Sequence, residues 1–150
     1  MSLPNLSPLQ ESLEDRIDEL NKIQNQAEKE HRGDGSDPAV WEKVDPKIRR
    51  GVVKNCLNEL GEVDEMTDLL RILAEWRRQE LDEWVFKRNN SQTKNERRRI
   101  KRHEIGGWTE ELVDLIPESE FESCWRCDSN KLPKRHRGRK TGYTWECSNC

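Results

Sequence analysis

Large apolar side chains are scarce in this sequence, and phenylalanine and tyrosine are nearly missing. Leu, Ile, Val and Phe together account for 30 of the 150 residues, while Phe occurs twice and Tyr once. A fraction of about 20% is the border below which highly charged chains are usually disordered. The net charge is only -3, so self-repulsion is weak and a folded state is feasible. We therefore expect one small domain, with or without an appendage, of marginal stability.

The chain also lacks an apolar run of about 18 residues, and its first residues lack the basic, apolar, small-residue order of a signal peptide. These absences predict a protein that has no membrane partner. We expect an intracellular location, in the cytoplasm or, if the source is eukaryotic, in the nucleus.

Motifs of the common enzyme classes are missing as well. We find no phosphate-binding glycine loop, nucleophile elbow or histidine-rich nuclease pattern. The three histidines, His31, His103 and His136, all have charged sequence neighbours. The sequence therefore predicts a binding protein and not an enzyme.

Residues 1–32 are predicted to form an amphipathic helix that begins near Pro8. Ser7 and Pro8 are typical of a helix N-cap and first turn, and the glycines and proline after Arg32 predict its end. Steps of three and four place apolar residues on one stripe that an arginine interrupts once: Leu6, Leu9, Leu13, Arg16, Leu20, Ile23 and Ala27. Such a stripe either forms a coiled coil, in which residues 6–27 join a homodimer or a protein partner, or packs within the chain.

Residues 39–88 are predicted to be a helical core. Asp45 and Pro46 are typical of the cap and first turn of a helix, which we expect to run to Gly61. A longer helix is expected over residues 64–87, packed antiparallel against the first one across a turn at residues 61–63. Cys56 falls on the apolar stripe of the first helix, so we interpret it as a small core residue.

Residues 89–123 are predicted to hold a basic arm and a short acidic helix. The arm is expected to be a solvated helix over residues 94–103, and Gly106 and Gly107 are expected to break it. Thr109 would then cap the second helix. Residues 87–103 carry a charge of +7 and residues 104–123 a charge of -7, so one segment could fold back on the other.

Four of the five cysteines form two Cys-x2-Cys pairs in the last 27 residues. Each pair can direct two thiolates at one ion, and zinc prefers four such ligands in a tetrahedron. The residues between the pairs suit a β-hairpin, because residues 141–146 contain alternating β-branched and aromatic side chains. Structural zinc is the favoured interpretation, and a redox dithiol or a catalytic zinc site are the alternatives.

Residues 124–150 therefore resemble a four-cysteine zinc ribbon, a module found in transcription factors and ribosomal proteins. The resemblance implies that zinc is bound by Cys124, Cys127, Cys147 and Cys150, and that residues 128–146 form the hairpin. Asp128 would adopt the left-handed turn after the first pair. The fold class expected overall is mainly α: a helical hairpin or bundle with a possible N-terminal coiled coil, followed by the small β-hairpin zinc ribbon.

Two basic clusters, at residues 94–102 and 131–140, are the candidate nucleic-acid contacts. Arginine presents a bidentate fork to phosphate, and clustered cations release counterions from nucleic acid. The candidate residues are Lys94, Arg97, Arg98, Arg99, Lys101, Arg102, Lys131, Lys134, Arg135, Arg137, Arg139 and Lys140. We expect an accessory or regulatory protein, for example in transcription, that binds DNA or RNA phosphates, with DNA slightly preferred.

Other interpretations stay open. The acidic segments could pair with the basic clusters inside the chain, and residues 94–102 would also fit a nuclear localisation signal. The alternative function is a protein-interaction or assembly factor without nucleic-acid binding, in which the coiled-coil helix and the ribbon are docking modules. Trp125 and Trp145 are expected to cover the ribbon core, with base stacking as the second interpretation. Four further tryptophans are expected to be core or helix-packing residues: Trp41, Trp76, Trp84 and Trp108.

Overall fold

The computed structural model describes residues 3–30, 40–81, 92–135 and 142–147, which form helices followed by a small antiparallel sheet. The helices are α1 (Ser7–Glu30), α2 (Val40–Gly61), α3 (Met66–Leu81) and α4 (Gln92–Leu115). The strands are β1 (Glu122–Ser123), β2 (Asn130–Lys134) and β3 (Thr144–Cys147), in the order β1-β2-β3. This confirms the mainly α fold class with a small C-terminal sheet. None of the described helices has the length and apolarity that crossing a membrane requires.

The apolar stripe of α1 is covered by the rest of the chain. Leu9, Leu13, Leu20 and Ala27 are buried, whereas Ile23 is 44% exposed. α1 packs mainly against α2. Of the two arrangements that the stripe allowed, packing within the chain is therefore the one that this structure contains.

The arginine that interrupts the stripe pairs with a buried carboxylate on α4. Arg16 donates to both oxygens of Glu104, from Nε at 3.2 Å and from Nη2 at 3.0 Å. Glu104 also accepts from Arg49 Nη1 at 3.1 Å and from the Trp108 indole at 2.8 Å. Burial alone would raise the pKa of Glu104, but these hydrogen bonds outweigh it, so the pKa is lowered. One carboxylate thus joins α1, α2 and α4.

The predicted start of helix α2 at Asp45 and Pro46 is wrong. The helix already begins at Val40, and Pro46 lies inside it. Pro46 cannot donate a hydrogen bond to the preceding turn, which normally disfavours this position. The Asp45 carboxylate does not act as the proposed cap, since it accepts from Arg49 Nε at 2.7 Å. Pro46 is itself buried, so apolar packing offsets part of the cost.

Helix α3 begins at Met66, two residues after the predicted start. The Asp68 carboxylate accepts hydrogen bonds from the backbone N–H groups of Asp64 and Glu65, at 3.2 and 3.1 Å. The turn at residues 61–63 is present, as predicted. However, α3 packs mainly against α4 and β2, with few contacts to α2, so the predicted α2–α3 hairpin is not the main packing unit. Residues 82–87 of the predicted helix lie outside the described residues.

Helix α4 is continuous through Gly106 and Gly107, so the predicted break there is wrong. Thr109 does not cap a new helix, because its hydroxyl donates to the Ile105 carbonyl at 2.7 Å inside α4. Each glycine costs a helix interior about 1 kcal/mol relative to alanine. Burial of Ile105 and Trp108 opposes that cost, at roughly 1.5–3 kcal/mol for a large apolar side chain. Residues 92–103 of the basic segment and residues 104–115 of the acidic segment therefore lie along one helix and do not fold back on each other.

Gly106 faces the side chain of Glu80 on α3. A Cβ atom at this position would lie 3.0 Å from Glu80 Oε1. A side chain here would therefore displace the Glu80 carboxylate.

Apolar side chains from all four helices meet in one core, which also receives the sheet. Fully buried members are Leu13, Leu20, Val53, Leu60, Leu69, Leu73, Trp76 and Leu112. Trp76 and Trp108 are buried, and Cys56 is 1% exposed, which confirms the core positions predicted for these three residues. Leu132, Tyr143 and Trp145 from the C-terminal part are partly buried against the same core. The sheet is consequently seated on the helices.

Candidate metal centre

Three cysteines meet at one end of the sheet. Cys124 directly follows β1, Cys127 ends the turn that leads towards β2, and Cys147 is the last residue of β3. In the antiparallel register of β2 and β3, Lys131 lies opposite Cys147, and Lys131 also lies opposite Glu122 of β1. The return of β3 alongside β2 therefore brings Cys147 to the first Cys-x2-Cys pair, as the hairpin prediction required.

The turn at residues 124–129 holds the first two thiols on one side. The Asp128 N–H donates to the Cys124 carbonyl at 2.9 Å, and the Cys124 N–H donates to the Ser129 carbonyl at 2.7 Å. Asp128 has φ = 58°, the left-handed conformation that asparagine and aspartate tolerate better than most residues. The predicted conformation of Asp128 is confirmed.

The three sulfur atoms lie close enough to share one metal ion. The Sγ atoms of Cys124, Cys127 and Cys147 all lie within 4.8 Å of one another, and the Cys127 and Cys147 sulfurs are 3.4 Å apart. Two thiolates on a tetrahedral zinc ion at about 2.3 Å would be about 3.8 Å apart, whereas a disulfide would need about 2.05 Å. The spacing of the donors thus fits a metal centre, with a modest outward movement of one thiol.

The three cysteines differ in their solvent exposure. Cys124 is 3% exposed, Cys147 is half-buried and Cys127 is exposed. Sulfur donors of this kind select soft or borderline ions such as zinc. Cys150, the fourth predicted ligand, lies outside the described residues. The structure therefore supports a three-thiol cluster able to hold a metal, at the place where four zinc ligands were predicted.

A buried arginine attaches the sheet to the helical body. Arg77 on α3 is 5% exposed and donates from Nη1 to the carbonyls of Leu132 and Pro133, at 3.1 and 3.0 Å. Burial lowers the pKa of Arg77, although arginine keeps its charge in proteins. Sequence reasoning missed this residue, because nothing in the sequence distinguishes Arg77 from the other basic residues of the helices.

The predicted nucleic-acid residues on α4 differ in their surroundings. Arg97, Arg99 and Lys101 are exposed, while Arg98 and Arg102 are half-buried. Arg102 Nε donates to the Glu80 carbonyl at 2.8 Å. Arg99 lies 3.5 Å from Glu96, an exposed pair of small energetic value. The backbone of Lys94 belongs to α4, and its side chain lies outside the described residues.

The basic residues of the sheet are partly engaged inside the chain. Arg135 Nη1 lies 2.8 Å from Glu75 Oε2 on α3, and the Arg135 N–H donates to the Ala74 carbonyl at 3.2 Å. Lys134 lies 4.0 Å from Glu146, and Lys131 is half-buried. The remaining predicted contacts, Arg137, Arg139 and Lys140, lie outside the described residues. Intramolecular pairing thus applies to Arg135, although its partner is Glu75 and not the acidic segment considered from the sequence.

Trp125 is exposed, contrary to the expectation that it covers the ribbon core. Its side chain is 78% exposed, and the Arg126 guanidinium lies 4.8 Å from the ring centroid. Trp145 behaves differently: it is half-buried and makes an edge contact with Tyr143 at a centroid distance of 5.7 Å. Trp125 lies in the turn at residues 125–127, outside the strands, whereas Trp145 lies in β3 and packs against the helical core.

Comparison of the chain with protein-family models, with curated proteins and with solved structures gave no match.

Proposed function

We propose that this chain is a zinc-stabilised protein that binds nucleic acid through the metal-held turn at residues 124–129. The observation that carries the proposal is Trp125, an indole 78% exposed between two cysteines of the metal cluster. Exposed large apolar side chains on a rigid turn are typical of contact sites, since little side-chain and backbone entropy remains to be lost on binding. Stacking of a base on an aromatic ring contributes about 1–3 kcal/mol.

The charges beside Trp125 favour a polyanion as the ligand. Arg126 is exposed and stacks on the indole, and residues 124–150 carry a net charge of +5. A guanidinium next to a stacking platform can pair with a phosphate while the base lies on the ring. In this proposal zinc has a structural role: it holds Cys124 and Cys127, and with them the turn that presents Trp125.

The basic face of α4 supplies a second group of cations. Arg97 and Lys101 are exposed, and both α4 and β2 pack against α3. In this proposal, a strand bound at the turn also reaches the cations of α4. Phosphate contacts of this kind contribute affinity without sequence specificity.

The test is a fluorescence anisotropy titration of the zinc-loaded protein with single-stranded DNA, duplex DNA, RNA and heparin at two salt concentrations. We expect Trp125→Ala to weaken binding to a single strand about 5- to 150-fold, and Trp125→Phe to retain much of it. Arg126→Gln should reduce the slope of log affinity against log salt by about one. Ile23→Ala, which also removes an exposed apolar side chain, is the control and should leave affinity unchanged.

Two outcomes would contradict the proposal. One is the absence of binding to every nucleic acid at low salt, and the other is binding that does not depend on salt.

A protein-interaction function is the second candidate, because an exposed indole also suits an apolar pocket of a protein partner. Failure of all nucleic-acid titrations with an intact metal centre would favour that candidate.

A further inference from the structure

A groove between α2 and α4 lies outside the metal centre and has the size of a small-molecule site. Its volume is about 490 Å³, and residues of α2, α4 and the end of α3 line it. Binding sites for small ligands usually measure about 300–1,000 Å³. The groove is separate from the cysteine cluster, since none of its described lining residues belongs to the sheet or to the cluster.

The floor of the groove is apolar and its margin is cationic. Ile48 and Ile105 are buried at the floor beside the half-buried Val52. Three exposed cations, Lys47, Arg97 and Lys101, also line it. Among the lining residues that the structure describes, Glu59 is the single carboxylate. An anion with an apolar body would match both surfaces.

The three cations that line the groove differ from several arginines of the chain in their hydrogen-bond partners. Arg16, Arg49, Arg77 and Arg135 all bind carboxylates or carbonyls. In contrast, no salt bridge joins Lys47, Arg97 or Lys101 to a carboxylate within the part of the chain that the structure describes. Cationic side chains that line an apolar groove and have no carboxylate partner favour the binding of an anion from solution.

We infer that this groove binds a small amphipathic organic anion, with its carboxylate or phosphate near Lys47, Arg97 and Lys101 and its aliphatic or aromatic body on Ile48, Val52 and Ile105. This goes beyond the proposed function and does not depend on it. Gly51, which also lines the groove, has open space within 4 Å of the position a Cβ would take. A large side chain at this position would therefore project into the space that the ligand needs.

The experiment is a calorimetric titration of the zinc-loaded protein with decanoate, decyl phosphate and decyltrimethylammonium, each below its micelle-forming concentration and without nucleic acid. The two anions share the tail of the cation, so the three titrations separate charge recognition from apolar binding. We expect saturable one-site binding of at least one anion, and the tighter of the two identifies the headgroup. Binding of the cation should be at least tenfold weaker.

Two pairs of variants locate the site. Gly51→Leu should weaken anion binding at least tenfold, while Gly107→Leu should change it less than twofold. Gly107 is the matched control, since it is also a helical glycine with open space and does not line the groove. Leucine favours helix over glycine, so both variants should fold. The double variant Lys47→Gln with Lys101→Gln should also weaken binding at least tenfold, and Lys54→Gln, an exposed residue of α2 outside the groove, should not.

Several results would overturn the inference: no binding of either anion, equal binding of the cation, or unchanged binding in Gly51→Leu. Trp125→Ala should bind the anions as the unsubstituted protein does. If the unsubstituted protein binds the anions and no nucleic acid, the proposed function alone fails. If it binds nucleic acid and neither anion, this inference alone fails.

Discussion

The four helices bury a continuous set of apolar side chains, whereas the C-terminal sheet buries few of its own. Over residues 122–135 and 142–147, only Cys124 and Pro133 are buried. The helical body instead shares a core to which every helix contributes. A segment of this size rarely folds on apolar burial alone, so the sheet depends on its thiol cluster and on its seat against α3. One short chain thus combines two sources of stability, an apolar core in the helices and a thiol cluster in the sheet.

Removal of the metal should have the largest effect, and it should be confined to the sheet. Structural zinc contributes on the order of 10 kcal/mol of apparent binding free energy in small peptides. We expect Cys124→Ser to lose bound zinc and the amide dispersion of residues 122–147 in ¹H–¹⁵N spectra, while helical circular dichroism is largely retained. Cys56→Ala is the control, because this thiol is buried in the helical core and burial raises its pKa. Full zinc content and an intact sheet in Cys124→Ser would refute the metal assignment.

Truncation of the helical core should have the next largest effect, in the other region. Leu13 is fully buried, and a buried leucine replaced by alanine typically costs about 2–5 kcal/mol. We expect Leu13→Ala to lower the free energy of unfolding in urea by this amount, with zinc stoichiometry unchanged. Ile23→Ala, at a position of the same stripe that is 44% exposed, should cost less than 1 kcal/mol, as most surface changes do. Equal costs would mean that the stripe is not buried within one chain.

Arg77, which links α3 to the sheet, should control whether the two regions unfold in a single transition. Arg77→Met leaves the Leu132 and Pro133 carbonyls without their donor, and an unsatisfied buried group costs about 1–3 kcal/mol. We expect the sheet of this variant to melt at a lower temperature than the helices, as followed by the amide resonances of residues 142–147 and by helical circular dichroism. Arg71→Met is the control, since Arg71 is 63% exposed and pairs only loosely with Asp68 at 3.9 Å. A single shared transition in Arg77→Met would show that this contact does not couple the regions.

The smallest effect should come from Glu104, the buried carboxylate of the helical body. It should appear as a pH dependence of the free energy of unfolding. Because the pKa of Glu104 is lowered in the folded chain, its contribution is complete above the ordinary glutamate pKa and is lost as pH falls below that value. We expect Glu104→Gln to cost roughly 1 kcal/mol or more at neutral pH and to flatten the loss of stability on acidification. Glu19→Gln is the control, since Glu19 is 59% exposed. A steeper acid loss in Glu104→Gln would contradict this sign.

Local signals in the sequence predicted much of the fold and of the candidate site. The Cys-x2-Cys pair and Asp128 act within a few residues, so the turn and its left-handed residue follow from short-range geometry. The face of α1 follows from periodicity in the same way. Cys56 lies on an apolar stripe, which is sufficient to place it in the core.

Contacts between distant segments account for what the sequence could not predict. Gly106 and Gly107 look like a break, yet burial of Ile105 and Trp108 keeps α4 continuous. Arg16 looks like a defect of the stripe, until Glu104, 88 residues later, accepts its hydrogen bonds. Trp125 and Trp145 both neighbour a cysteine of the cluster, yet Trp125 is 78% exposed while Trp145 packs against the helical core, and no local pattern distinguishes the two.

Native mass spectrometry of the intact chain, purified without added metal or chelator, is the decisive test of the metal centre. We predict a mass equal to that of the chain plus one zinc ion, less the protons that the ligating thiols release, and loss of that zinc with a chelator. A chain without metal whose mass is lower by two hydrogen atoms would indicate a disulfide among the clustered cysteines, and it would contradict the account.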